Sequence, residues 1–134
     1  MQQVSAAVVI ENGRLLLAER RSHDHLEGMW ELPGGKVEPG ETAEECLIRE
    51  LNEELSMSCQ VGALVATARH VYAHGSFEVL AFSVQRTSDY ELHVHSRARW
   101  VSPRELEAMP IAPADVELID QITLSGLWST RSED

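Results

Sequence analysis

The chain has 134 residues, 43% of them hydrophobic, and a formal net charge of −11, which suits one domain with a real core. That charge excludes sequence-independent binding to DNA or RNA, which needs a basic surface. No apolar run approaches the roughly 18 residues of a membrane span, so no membrane partner is expected.

The opening MQQVSAAVVIENGR lacks the basic start and long apolar stretch of a signal peptide and reads as a first strand. Residues 4–10 are a β-branched run, and Asn12-Gly13 after them is a hairpin signal, so residues 15–19 pair back as the second strand. Residues 21–28 are a polar loop, and Trp30-Glu31-Leu32 leads as a short extended piece into the turn Pro33-Gly34-Gly35. The main helix is expected over residues 42–55. Thr42 and Glu45 form a capping box at its start, and Cys46, Leu47, Leu51 and Leu55 give an apolar stripe at helical spacing. Cys46 then lies on the inner side, so Cys46 and Cys59, the only two cysteines, read as reduced thiols of a cytoplasmic protein.

Residues 60–71 and 77–85 suggest two strands around a turn at His74-Gly75-Ser76, with further extended structure at 90–95 and 97–101. Ser102-Pro103-Arg104-Glu105 opens a short helix with its own capping box. Residues 114–127 give a last helix, and residues 125–134 are expected to be a flexible tail. Strands and helices interleave without repeat or linker, which makes the chain one α/β (α+β) domain over residues 1–134.

Glu50, Glu53 and Glu54 lie three and four residues apart, so a helix sets them side by side on one face. Like charges so placed repel, and a hard divalent cation reverses the sign of that interaction. Just upstream, Gly34 and Gly35 offer a backbone that a phosphate can approach. Lys36, the only lysine in the chain, adds a cation. The bland alternatives are a solvated acidic face and a solvated loop lysine.

The stretch from Gly35 to Met57 resembles the box of the Nudix hydrolases, G-x5-E-x7-R-E-U-x-E-E-x-G-U, where U is bulky and apolar. Gly35, Glu41, Arg49, Glu50, Leu51, Glu53, Glu54 and Met57 fall on it at the required spacing. Ser56 departs from the family glycine, which supplies a left-handed residue at the helix end. The resemblance implies a mixed β-sheet sandwiched between helices and Mg²⁺, or Mn²⁺, held by Glu50, Glu53, Glu54 and a backbone carbonyl near Gly34. It further implies that Glu50 is the base that activates water, that Arg49 orients the carboxylates, and that Gly35 and Glu41 are structural.

The same resemblance offers Arg20 as a phosphate contact; two arginines at a strand end, Arg20 and Arg21, are as readily solvated. The segment from Met109 to Asp115 is similar to a proline-rich turn of the MutT-like branch that includes CTP pyrophosphohydrolases. There a side chain at the position of Asp115 contacts the nucleobase, while Asp115 is also well placed to N-cap the last helix. Relatives often carry an acid shortly before the tryptophan matching Trp100. Residues 93–99 hold none, although His93 and His95 alternate as on one strand face.

These features imply hydrolysis of a nucleoside triphosphate, CTP- or dCTP-like or an oxidised or modified deoxynucleotide, to the monophosphate and pyrophosphate. The alternatives are hydrolysis of another diphosphate such as ADP-ribose and a nucleotide-binding regulator without turnover. The partner is a small nucleotide, and the chain acts as a monomer or homodimer.

Overall fold

The computed structural model describes residues 1–20, 26–72, 75–89 and 98–128. Their element order is β1 (Gln2–Val8), β2 (Ile10–Glu11), β3 (Arg14–Glu19), β4 (Trp30–Glu31), β5 (Gly34–Lys36), α1 (Ala43–Leu55), β6 (Cys59–Tyr72), β7 (Gly75–Arg86), β8 (Ala98–Val101), α2 (Pro103–Leu106) and α3 (Pro113–Leu124). The extended piece expected at 90–95, and with it Arg21, His23, His25, His74, His93 and His95, lies outside the described residues.

Two four-stranded sheets form the centre. The first is mixed, in the order β5-β1-β7-β6: β1 runs parallel to β7, and the other two pairings are antiparallel. In the second, β3 is central. Leu15 pairs with Ile10 of β2 and Val101 of β8, and Ala18 pairs with Glu31 of β4 and Ala98 of β8.

The apolar runs of β1 and β3 are nearly continuous because both faces of each strand are covered. Successive side chains alternate between two cores. Ala6, Val8, Leu15 and Leu17 join Leu118, Ile119 and Ile122 of α3 on one side. Ala7, Val9 and Leu16 join Leu47, Leu51 and Leu55 of α1 on the other. This is the mixed-sheet sandwich that the sequence suggests.

Helix α1 starts where its caps place it. Thr42 Oγ1 accepts from the Glu45 N–H at 3.0 Å, and Glu45 returns the bond to the Thr42 N–H at 2.8 Å. It ends on Ser56, which holds the left-handed conformation (φ 50°, ψ 37°), and the Met57 N–H closes back on the Leu51 carbonyl. A serine in that conformation costs about 1 kcal/mol.

Helix α3 departs from expectation at both ends. It begins at Pro113, with Ala112 in the cap position and no side-chain cap. Asp115 therefore does not cap it. The reason is tertiary: the segment before α3 pairs with β4 through Trp30 N–H to Pro110 O and Ala112 N–H to Trp30 O, and Pro113 then starts the helix two residues before Asp115. At the other end α3 stops at Leu124, but the chain stays packed. Trp128 is buried in the α3-side core, and its indole N–H donates to the Gly13 carbonyl at 2.9 Å. Trp128, expected in a flexible tail, is thus packed in the core, and residues 129–134 lie outside the described residues. Among the described residues no helix is long and apolar enough to cross a membrane.

Candidate active site

The site is built around Gly34 and Gly35. In β5 they pair with Ala6 and Ser5 of β1. A Cβ on Gly34 would strike the Ser5 carbonyl, and a Cβ on Gly35 would overlap the carboxyl group of Glu50. Each glycine is thus required by a close approach, one to a strand and one to a helix side chain.

Arg49 organises the carboxylates beside this strand. Its guanidinium forks onto Glu41, with Nε to Oε2 at 3.1 Å and Nη2 to Oε1 at 2.7 Å. Its Nη1 donates to Glu50 Oε2 at 3.1 Å and Glu53 Oε1 at 3.2 Å. The fork holds the Glu41 carboxyl down at about 2, helped by the Glu38 N–H. Glu50 goes the other way. Burial raises its pKa first, the bond from Arg49 opposes this, and the charges of Glu54 and Glu53 add to the rise.

Among the described residues no three histidine, cysteine, aspartate or glutamate side chains converge as a ready metal-ligand set. Glu50 and Glu53 instead meet on Arg49, which supplies the positive charge that their repulsion demands. The donor chemistry still suits a hard cation: the side-chain donors are carboxylate oxygens, and backbone carbonyls of β5 run past them. A divalent ion would relieve the repulsion from Glu53 and Glu54 that adds to the burial-driven rise of the Glu50 pKa.

A cavity of about 740 Å³ opens on the other side of Gly35. It is lined by Gly34, Gly35 and Lys36 and by Arg20, Glu31 and Asp115, with Val4, Ala6, Phe77 and Val79 among the apolar walls. Gly35 is therefore the joint between this cavity and the Glu50 carboxylate. Lys36 Nζ stands 5.9 Å from the centroid of the Phe77 ring. Arg20 pairs with Glu31 at 3.2 Å and lies near enough to act on Asp115 electrostatically.

Asp115 is 8% exposed. Its Oδ2 accepts the Leu32 N–H at 2.8 Å. Among the described residues Oδ1 has no protein partner and is not sealed from the cavity. Burial pushes this carboxyl up to about 7; the Leu32 N–H opposes the shift, the Glu31 charge adds to it, and Arg20 opposes it. The structure thus brings Arg20, Gly34, Gly35, Lys36 and Asp115 to one cavity and Glu41, Arg49, Glu50 and Glu53 to one cluster beside it. Glu54 follows on the exposed edge of α1. Glu31, His70 and Phe77 line the cavity without having been singled out in the sequence. Only the pairing of distant strands brings them there.

Residues 5–121 match the family model described as NUDIX domain. The chain belongs to that family, as a Nudix hydrolase. It is 36% identical over 121 residues to the CTP pyrophosphohydrolase of Escherichia coli K12, covering 90% of each chain. It is 34% identical over 118 residues to a putative 8-oxo-dGTP diphosphatase 2 of Mycobacterium tuberculosis, covering 85% of this chain and 82% of the relative. Among solved structures, the solution structure of the E. coli ORF135 protein superposes with a TM-score of 0.82 at 35% identity, over 100% of this chain and 95% of that one.

Proposed function

We propose that the protein hydrolyses a nucleoside triphosphate, of the CTP or dCTP type or an oxidised or modified deoxynucleotide, to the monophosphate and pyrophosphate, with Mg²⁺ or Mn²⁺ as cofactor. One observation carries this reading. A single cavity runs from the open oxygen of Asp115 to the Gly34-Gly35-Lys36 backbone, and Gly35 joins it to the Glu50 carboxylate. Its volume is in the range of small-ligand sites, roughly 300–1,000 Å³. The activities in the names of the two relatives, on CTP and on 8-oxo-dGTP, support a triphosphate. The buried Cys46 and half-buried Cys59, both free thiols, support a cytoplasmic setting.

The base enters at the Asp115 end and the phosphates lie along the glycine strand. Asp115 Oδ1 accepts a hydrogen bond from an exocyclic amine, such as that of cytosine, while Oδ2 stays on the Leu32 N–H. Arg20, held by Glu31 beside Asp115, acts at this base end more than on the phosphates. Lys36 leaves the Phe77 face to meet a phosphate as a point charge.

Glu50, Glu53, Glu54 and the Gly34 carbonyl would hold the cation. When bound, it supplies charge against the phosphate oxygens and acidifies water. Water attacks one phosphorus, the bridging P–O bond breaks, pyrophosphate leaves, and Glu50 takes the proton of the attacking water. The raised pKa of Glu50 suits a proton acceptor. Arg49 keeps Glu50 and Glu53 in place, and the fully ionised Glu41 anchors Arg49.

The test is incubation with Mg²⁺ and CTP, dCTP, 5-modified dCTP, dGTP, 8-oxo-dGTP and ADP-ribose, with product separation and Glu53→Gln as control. Monophosphate plus pyrophosphate from a triphosphate, lost in the variant, supports the reading and identifies the base. Turnover of ADP-ribose alone, or tight binding without turnover of any nucleotide, defeats it.

A further inference from the structure

Cys46 belongs to no position of the family box, yet it lies fully buried under the glycine strand. Its thiol donates to the carbonyls of Gly35 at 3.5 Å and Lys36 at 3.4 Å. Arg49 Nη2 reaches the same Lys36 carbonyl at 3.4 Å and the Cys46 sulfur at 3.8 Å. Ser5, the cross-strand partner of Gly35, is also fully buried. Its hydroxyl donates to the Ala43 carbonyl in the first turn of α1 at 2.6 Å. Strand β1, strand β5 and helix α1 are therefore joined by two buried polar side chains beneath Gly34-Gly35.

An alanine or valine at position 46 would fill the core as well as a thiol does. What the thiol adds is direction. Its single hydrogen is shared between two successive carbonyls of β5, those of Gly35 and Lys36. The Glu50 carboxyl sits against the same Gly35.

We propose that Cys46 is a positioning residue whose thiol fixes the carbonyl orientation of β5 and thereby sets the affinity of the site for its divalent cation. This inference rests on the hydrolase reading above. It does not require Cys46 to touch substrate or cation.

The test is calorimetric titration of the substrate-free protein with Mn²⁺ for wild type, Cys46→Ala and Cys46→Ser. Melting temperatures of the metal-free proteins, and kcat and KM against Mg²⁺ concentration, are measured beside it. We expect Cys46→Ala to bind Mn²⁺ about tenfold more weakly, the size seen when groups behind a metal site are removed. Its Mg²⁺ requirement should rise in parallel, with nucleotide KM at saturating Mg²⁺ close to wild type. Cys46→Ser, whose hydroxyl also donates, should restore most of the affinity. Wild-type Mn²⁺ affinity and kcat in Cys46→Ala, whatever its melting temperature, would overturn the proposal, as would a serine variant no better than alanine. A wild-type protein that neither binds Mn²⁺ nor turns over any nucleotide defeats the hydrolase reading and takes this inference with it. That outcome is distinct from a functional wild type matched by its variant.

Discussion

At the α1 end of the site Glu41, Glu50 and Glu53 share the guanidinium of Arg49, with Glu38 also within 3.9 Å. At the α3 end one carboxylate, Asp115, is more deeply buried, and the described residues give it a backbone N–H but no ion pair. The first arrangement sets its carboxylates against one guanidinium. The second has no paired cation, so burial moves the proton equilibrium instead, to about 7. The difference suits two tasks. Phosphate chemistry needs charges held ready, whereas reading a base needs one directional group in a dry pocket, where a wrong partner is costly.

The largest effect is expected at the charged end. Glu50→Gln should lower kcat by about 10²–10⁴-fold, the range for losing a general base, with circular dichroism and melting temperature little changed. A variant retaining near-wild-type kcat would move the base elsewhere. Arg49→Ala should follow at about 10²-fold, because a misplaced carboxylate costs on that order. The loss should fall on kcat, and unchanged turnover would show that Arg49 organises nothing.

At the apolar end the expected effect is on choice. Asp115→Ala should reduce discrimination between preferred and non-preferred nucleobases by about 10–100-fold in kcat/KM, leaving kcat on the remaining best substrate closer to wild type. Comparing dCTP with dUTP in both proteins measures this. Equal discrimination would remove Asp115 from base recognition.

The same residue gives a pH prediction of known sign. Its folded pKa, about 7, lies above the ordinary 3.8. The stability it contributes is therefore present at low pH and lost as pH rises from about 4 through 7. Asp115→Asn keeps an oxygen for the Leu32 N–H and carries no charge. Its melting temperature should gain on wild type across that interval and stay level above it, by up to about 4 kcal/mol in stability at roughly 1.4 kcal/mol per unit. A difference independent of pH would show that Asp115 stays ionised.

The smallest effect belongs to neither end. Ser56→Gly should relieve the left-handed strain at the end of α1 and stabilise by about 1 kcal/mol or less, with catalysis unchanged. A change in kcat there would mean that the helix terminus and the carboxylates are coupled.

The α1 half of this comparison was legible in the chain itself. The capping box and the apolar stripe follow from spacing alone, while the left-handed position of Ser56 and the pairing of Arg49 with the carboxylates followed from the resemblance to the family box. The α3 half was not. Asp115 meets Leu32 across 83 positions of sequence. Its start-of-helix position was displaced when Pro110 and Ala112 paired with Trp30, and Arg20 turned to Glu31. Trp128, two residues after a glycine near the end of the chain, was drawn into the core by a bond to Gly13. Desolvation depends on everything packed around a group at once, and neither it nor a contact between distant strands leaves a local pattern. The sequence by itself determined the family, the first two strands and the carboxylate helix. Only the tertiary structure decided which side chains face the cavity, which carboxyl loses its water, and how Cys46 comes to lie beneath the glycine strand.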